Sequence, residues 1–429
     1  MSENSDSKSA SAEGGGDHDE QECVVIDISP FVEDDCDDST PSSRSTMNRT
    51  EHDELHRCMH AHAHAQDDVS SSSVLSERRA VVVSQLIHSF ENLGFLYITG
   101  HGVDLELIAQ LFARSEQFFS QSESEKRKCS YRAPVPRGFI GLDRENFACL
   151  AGETKPNDLV EKLRFGPMLS ADALQDPYYN TRDAKTLFFA NMWPESVPEL
   201  QPLVSQYFEA MERLMRTLLR LFAVALNLPP SFFRDKTDRH TSILSLNRYP
   251  FVAHPKRNQI RIAPHTDLDL FTIVAQDAEA GGLEILSPLT QNWLSVPPLP
   301  DALVVNVGDA LTFWTNGKWR STMHRVVLPP PQLHTPALRP RHSLAFFVGA
   351  NYDAPIECLP GCSEDSDGKE VRKHEDSDGQ EIRKLLPLGD GVGQTDTHDA
   401  HPPQCDATTY IGWRRWRVKL AVDRMKSAK

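Results

Sequence analysis

Two hydrophobic rhythms divide the chain. Up to about residue 228 the apolar positions recur three and four residues apart, and beyond 240 they fall into short β-rich runs. The first spacing lines one face of a helix and the second one face of a strand. "CVVIDISPF" (23–31) predicts a first strand, "SERRAVVVSQLIHSFENLG" (76–94) a helix capped near Gly94, and "FLYITGHG" (95–102) a strand ending in a turn. A second helix is expected over about 104–119. The longest helix falls in "ELQPLVSQYFEAMERLMRTLLRLFAVALNL" (199–228).

Strands are then expected at 241–249, 259–265, 270–276, 282–287, 292–297, 302–307, 311–315, 322–328 and 342–349. Turn-forming groups such as "GG", "PPLPD" and "TNGK" separate them. Many short strands at this spacing predict an antiparallel sandwich or barrel. The fold class is therefore mainly β with helices: a jelly-roll core preceded by an α-helical N-terminal region. A closing helix is expected at 408–425.

Several segments carry neither rhythm. Residues 1–22 are expected to be a disordered tail, and about 32–73 a polar insertion in an N-terminal region spanning 23–235. The core would occupy 236–362, an acidic insertion 363–403, and the last helix 404–429. The insertion holds a tandem 11-residue repeat, "EDSDGKEVRKH" then "EDSDGQEIRKL". Asp365, Asp367 and Gly368 fit positions three, five and six of a calcium loop. Ser363 and His374 stand at positions one and twelve, and a bidentate Glu is needed at twelve, so a charged solvated segment is the expectation. His56, Cys58, His60, His62 and His64 form a second tempting cluster. Nothing around them supplies a scaffold, and they are expected to be a disordered tract of weak metal affinity. His240, His254 and His334 fall in expected loops and are given no role.

The chain of 429 residues has a formal charge of −16. That balance argues against nucleic acid or an anionic membrane as principal partner. "LLRLFAVALNL" (218–228) is the longest apolar run, too short for a bilayer and interrupted by Arg220. The polar N-terminus does not look like a signal peptide. Eight scattered cysteines fit reduced thiols, and Cys358 with Cys362 lacks further zinc ligands. A cytoplasmic protein, by default a monomer, is the expectation.

Chemistry concentrates in "RIAPHTDLDLFTIVAQD" (261–277). If the strand pattern continued through it, His265 and Asp267, two apart, would point to the same face. Alone this could be a hydrogen-bonded polar pair. His324, in "RSTMHRVVL" on a late strand, adds a third donor. Two imidazoles and one carboxylate form the facial triad that holds non-haem Fe(II) and leaves the opposite coordination face open. In "RPRHSLAFF" (339–347), Arg341 and Ser343 share a face of an otherwise apolar strand, a pattern that suits a carboxylate clamp. Asn247 and Tyr249 in "LNRYP" could add polar contacts. Phe313, Trp314, Phe346 and Phe347 are pocket or core candidates, with core expected for most.

Taken in order, "VVIDIS", "GFLYITGHGV", "NMWP", "LNRYP", "HTDLDLFTIVAQD", "GGLEIL", "NWLSVPPLPDALVVNVGDALTFWTNGKW", "STMHRVV" and "RHSLAFF" resemble the isopenicillin N synthase-like family of 2-oxoglutarate/Fe(II) oxygenases. The likeness runs from residue 23 to about 360, with gaps, and resumes in the closing helix. It implies a double-stranded β-helix core, with His265, Asp267 and His324 as iron ligands. Arg341 and Ser343 would bind the distal carboxylate of 2-oxoglutarate, helped by Tyr249 and Asn247. Fe(II), 2-oxoglutarate and O2 would be required, with ascorbate as a further candidate. The expected reaction oxidises a small organic substrate, most simply by hydroxylation, and releases succinate and CO2. One alternative is an oxidase of the same family whose Arg341 and Ser343 bind a substrate carboxylate instead. The other is a non-catalytic jelly-roll binding module, against which the complete triad and clamp argue. The proline-rich stretch before Arg341 departs from the family pattern and makes Arg339 a competitor for the clamp.

Overall fold

The computed structural model describes residues 23–32, 74–130, 137–142, 144–150, 155–278, 280–328, 339–362, 374–375, 381–382 and 409–427. Strand β1 (Val25–Asp27) leads into a single turn, α1 (Ser29–Val32). Helix α2 (74–92) precedes β2 (Phe95–Thr99), α3 (Leu105–Phe119) and the turn α4 (Glu123–Lys126). Next come β3 (Gly138–Ile140), the turn α5 (Phe147–Leu150) and β4 (Glu161–Phe165). Helix α6 (Leu200–Ala225) and the short α7 (Arg234–Thr237) follow.

The strand-rich half begins with β5 (Ile243–Tyr249), β6 (Ile262–His265), β7 (Phe271–Gln276) and β8 (Leu283–Leu286). It continues through β9 (Trp293–Ser295), β10 (Leu303–Val307), helix α8 (Asp309–Trp314), β11 (His324–Val326) and β12 (Arg341–Val348). A two-residue pair, β13 (His374–Glu375) with β14 (Glu381–Ile382), and helix α9 (Tyr410–Ser427) complete the description.

Eight strands form one sheet in the order β1-β2-β10-β7-β12-β5-β4-β3, and four form a second in the order β6-β11-β8-β9. All the pairings are antiparallel except β1 with β2. Alternation along β12 explains how the layers meet. Leu344, Phe346 and Val348 face a core shared with Phe208, Leu218 and Phe222 of α6. Arg341, Ser343, Ala345 and Phe347 face the opposite way, into a cavity walled on its far side by β6, β8 and β11. A smaller apolar cluster joins the two sheets beside that cavity, with Tyr97, Tyr249 and Val304 from one and Ile262, Ile285 and Val326 from the other. The jelly-roll core and its helical N-terminal region are as expected.

Several elements differ from the expectation. The strand expected over 23–31 stops at Asp27, whose Oδ1 accepts the Ser29 N–H at 3.0 Å and turns the chain into α1. The strand expected at 311–315 is instead part of α8. Leu311 and Trp314, three residues apart, are both buried there, a helical rather than a strand spacing. Strands β3 and β4 were not anticipated, although β4 pairs along β5 over five residues. Gly94 caps α2 as expected, at a φ of +69°. A Cβ there would lie 2.0 Å from the Arg320 carbonyl oxygen.

The tail, the histidine tract 56–64, His334 and the calcium-like register at 363–368 lie outside the described residues, as does most of 363–403. Cys129 and Cys362 are buried thiols outside any disulfide. No helix among the described residues is long and apolar enough to cross a membrane.

Phe222 packs edge-on against Phe90, Phe271 and Trp319 and is fully buried. Truncation by Phe222→Ala should cost about 3–5 kcal/mol, measured as a lower midpoint in urea or thermal unfolding. An unchanged midpoint would contradict this packing.

Candidate metal centre

His265 ends β6 and His324 begins β11, and the two are paired residues on adjacent antiparallel strands. Their ring centroids lie 4.3 Å apart. Asp267 is not on the strand with His265, as the alternation had suggested. It sits in the turn between β6 and β7, and the crossing of chain segments that holds it there depends on Gly308. A Cβ at Gly308 would lie 2.1 Å from the Asp269 carbonyl oxygen. That close approach lets the Asp309 N–H donate to the Asp267 carbonyl at 2.7 Å.

The side-chain chemistry is directional. His265 Nδ1 lies 2.9 Å from the Ala263 carbonyl, and His324 Nδ1 lies 3.1 Å from the Thr322 carbonyl. A carbonyl oxygen only accepts, so each Nδ1 carries a hydrogen, and Nε2 is the ring nitrogen turned toward the cavity. Both Nε2 atoms face the same oxygen, Asp267 Oδ1, at 3.9 and 3.8 Å. The other carboxylate oxygen, Oδ2, accepts from Thr272 Oγ1 at 2.5 Å and Asn306 Nδ2 at 2.9 Å. One oxygen is thus fixed by the protein and the other presented to the two imidazoles. The three ligand atoms lie within 4.8 Å of one another, a spacing a single metal ion can bridge.

The electrostatics suit that arrangement. Burial and the neighbouring His324 push His265 down to about 3, so it is neutral and free to donate its lone pair. Burial works to raise the Asp267 carboxyl. The two histidines and the bonds from Thr272 and Asn306 outweigh it and hold the group below the usual range, as an anion. Phe147 packs against His265 at 4.6 Å between centroids, and Phe95 meets His324 edge-on at 5.4 Å.

Arg341 lies on the same cavity, almost completely buried. Its Nε donates to the Ala280 carbonyl and its Nη2 to Gln276 Oε1, both at 3.1 Å. Its Nη1 is buried with no acceptor. The guanidinium stacks over Tyr249 at 4.8 Å. β12 sets Arg341 opposite Tyr249 and Ser343 opposite Asn247 on β5. Ser343 Oγ accepts from Asn247 Nδ2 at 3.1 Å and lies 3.5 Å from the Tyr249 hydroxyl. Either hydroxyl of the Tyr249–Ser343 pair can be the donor, and with Tyr249 donating the serine hydrogen is free for an anion. A buried guanidinium with an unspent N–H, beside an uncommitted hydroxyl, fits a carboxylate.

The structure gathers His265, Asp267, His324, Arg341, Ser343, Asn247 and Tyr249 around one cavity of about 210 Å³. Arg339 is taken by Asp277 at 2.8 Å and leaves the clamp to Arg341. His240 is paired with Glu212 at 3.0 Å, and His254 is exposed on a loop. Phe347 lines the cavity, whereas Trp314 and Phe346 belong to the core and Phe313 packs against it. Sequence inspection missed Thr272 and Asn306. Asn306 is a lone amide in the apolar run "LVVNV", an available signal. Lys162, Arg164, Asp269 and Arg414, which also line the cavity, carried none.

Residues 240–350 match the 2OG-Fe(II) oxygenase superfamily, and residues 68–196 match the family described as non-haem dioxygenase in morphine synthesis N-terminal. Validamycin A dioxygenase of Streptomyces hygroscopicus subsp. limoneus is 30% identical over 285 residues, spanning 65% of this chain and 74% of its own. The 2-oxoglutarate-dependent dioxygenase traH of Penicillium crustosum is 31% identical over 271 residues, 58% of this chain and 75% of its own. Among solved structures, a full-length Neurospora crassa protein in complex with alpha-KG superposes with a TM-score of 0.61 at 23% identity, covering 83% of this chain and 94% of that one. That last likeness speaks to the fold.

Thr272 orients the carboxylate without facing the imidazoles. Removing its hydroxyl, Thr272→Val, should weaken divalent-metal affinity about 10- to 100-fold. Titration with Co(II), followed by its visible absorption, would measure this, and an unchanged affinity would contradict the geometry.

Proposed function

This chain belongs to the 2OG-Fe(II) oxygenase superfamily and is a 2-oxoglutarate/Fe(II)-dependent dioxygenase, and from that premise we propose that His265, Asp267 and His324 hold its iron while Arg341 and Ser343 hold 2-oxoglutarate. One observation carries the assignment. Two imidazole Nε2 atoms and one carboxylate oxygen converge on the same cavity as a buried guanidinium whose Nη1 has no acceptor. The donor set fits Fe(II): two neutral nitrogens and an anionic oxygen, with no fourth His, Cys, Asp or Glu completing the cluster among the described residues.

When bound, iron with 2-oxoglutarate activates O2 and couples decarboxylation to succinate and CO2 with oxidation of a second substrate. The chain's own residues supply position and enclosure. Asn306 and Thr272 fix the orientation of Asp267. The Ala263 and Thr322 carbonyls fix the imidazole tautomers. Arg341 grips the distal carboxylate through Nη1, and Ser343 donates to it while Asn247 holds the serine oxygen from behind. Tyr249 lies under the guanidinium and keeps its plane in register. Phe95, Phe147 and Val326 line the cavity and keep water from the reacting groups. The second substrate is a small organic molecule, and hydroxylation of a C–H bond is the reaction we assign. The strand-rich stretch 236–362 is the catalytic core on this reading. β1 and β2 at one edge and β4 and β3 at the other, all from the N-terminal region, complete its sheet.

Anaerobic addition of Fe(II) and then 2-oxoglutarate to the full chain tests the assignment. The parent should develop a visible metal-to-ligand charge-transfer band. Asp267→Ala should abolish it, and Arg341→Ala should raise the 2-oxoglutarate concentration needed at least tenfold. A band that survives Asp267→Ala unchanged would refute the ligand set.

A further inference from the structure

The cavity has more cationic side chains than the cosubstrate uses. Lys162 and Arg164, both on β4, line it together with Arg341 and with Arg414 of α9. Burying a cation is costly unless an anion compensates it. The compensation on the β4 wall is thin. Glu145 serves both cations: it pairs with Lys162 and lies 3.2 Å from Arg164 Nη2. Asp158, the next carboxylate, is spent on the backbone N–H groups of Phe147 and Ala263. Asp269 receives the Tyr410 hydroxyl and lies 3.3 Å from Arg414 Nε.

A buried donor without an acceptor that also faces a cavity suits an anion. Among the described residues five arginines keep a buried Nε or Nη without an acceptor. Two of those five, Arg341 and Arg164, line the cavity. Arg341 Nη1 is assigned above to 2-oxoglutarate. Arg164 Nε stands in the same condition on a different strand, with β5 between β4 and β12. Arg414 turns Nε to Asp269, lies over the Tyr410 ring at 5.8 Å and is one-fifth exposed. The remaining lining includes Phe147, Ile243, Val274, Leu283, Val326 and Phe347.

We propose that Arg164 and Arg414 form a second anion subsite, which holds a carboxylate of the primary substrate while Arg341 holds 2-oxoglutarate. The substrate class is then a small organic acid with an apolar body. Its head is fixed by guanidinium groups, and its carbon skeleton lies against the aromatic and aliphatic wall near the iron. Lys162, sandwiched between Glu145 and the Phe147 ring at 5.0 Å, raises the potential of that wall without needing to touch the ligand. The inference rests on the assignment of the iron and 2-oxoglutarate sites made above.

The test uses the full chain with Fe(II) and saturating 2-oxoglutarate, without oxygen. Benzoate, phenylacetate and 4-phenylbutyrate are titrated against their neutral amides, and the shift of the charge-transfer band is followed. At least one acid should bind ten times more tightly than its amide without displacing 2-oxoglutarate. Arg164→Gln should remove that preference, weakening the acid at least tenfold and leaving the amide as before. Arg164→Lys should restore part of it, and Arg414→Gln should weaken the acid likewise. Equal binding of acids and amides, no shift with any acid, or an Arg164→Gln variant that binds acid as the parent does would overturn the subsite. Absence of the band in the parent would instead refute the cosubstrate assignment, so the two failures are distinguishable.

Discussion

The site depends on keeping one carboxylate ionised inside the protein. An unpaired buried anion would cost several kcal/mol, and Asp267 is less than a tenth exposed. Thr272 and Asn306 saturate one of its oxygens, and the other faces two imidazoles. The surrounding architecture serves that placement. Thr272 and Asn306 are paired neighbours on β7 and β10 in the large sheet, whereas the histidines come from β6 and β11 in the small one. The centre therefore exists only where the two sheets are packed against each other.

The loop that carries Asp267 is held from several directions. Gly308 lets the start of α8 approach it, and Thr266 donates to Asp309 at 3.2 Å. α9 reaches the same place from far along the chain. Arg417 pairs with Asp309, and Tyr410 and Arg414 engage Asp269. The last helix thus helps to fix the turn that carries Asp267 and also contributes a cavity wall. The N-terminal half does the same through β4, so the pocket is assembled from segments some 250 residues apart in sequence.

Much of this was legible in the chain. Helices α3 and α6 declared themselves because their apolar spacing is long and regular, and the site residues did so because polar groups are conspicuous in apolar strands. α8 was misread because a short, mostly apolar run fits a strand as well as a buried helix turn. Asp267 was expected beside His265 on one strand. Its true position follows from a tertiary crossing at Gly308 that no local pattern encodes. β4 escaped notice because Glu161 and Lys162, at its start, are charged and buried in ion pairs. A charged strand looks solvent-facing until its partners are known. Arg414 was hidden for the same reason, since its partner Asp269 lies far earlier in the chain.

On the proposed reading, one metal ion and one dicarboxylate share this cavity through the residues named. Crystals grown without oxygen in the presence of Fe(II) and 2-oxoglutarate, with anomalous diffraction measured at the iron edge, test it most directly. The expected result is a peak bounded by His265 Nε2, Asp267 Oδ1 and His324 Nε2, with the distal carboxylate of 2-oxoglutarate on Arg341. Iron bound at other side chains, or that carboxylate paired elsewhere, would contradict it.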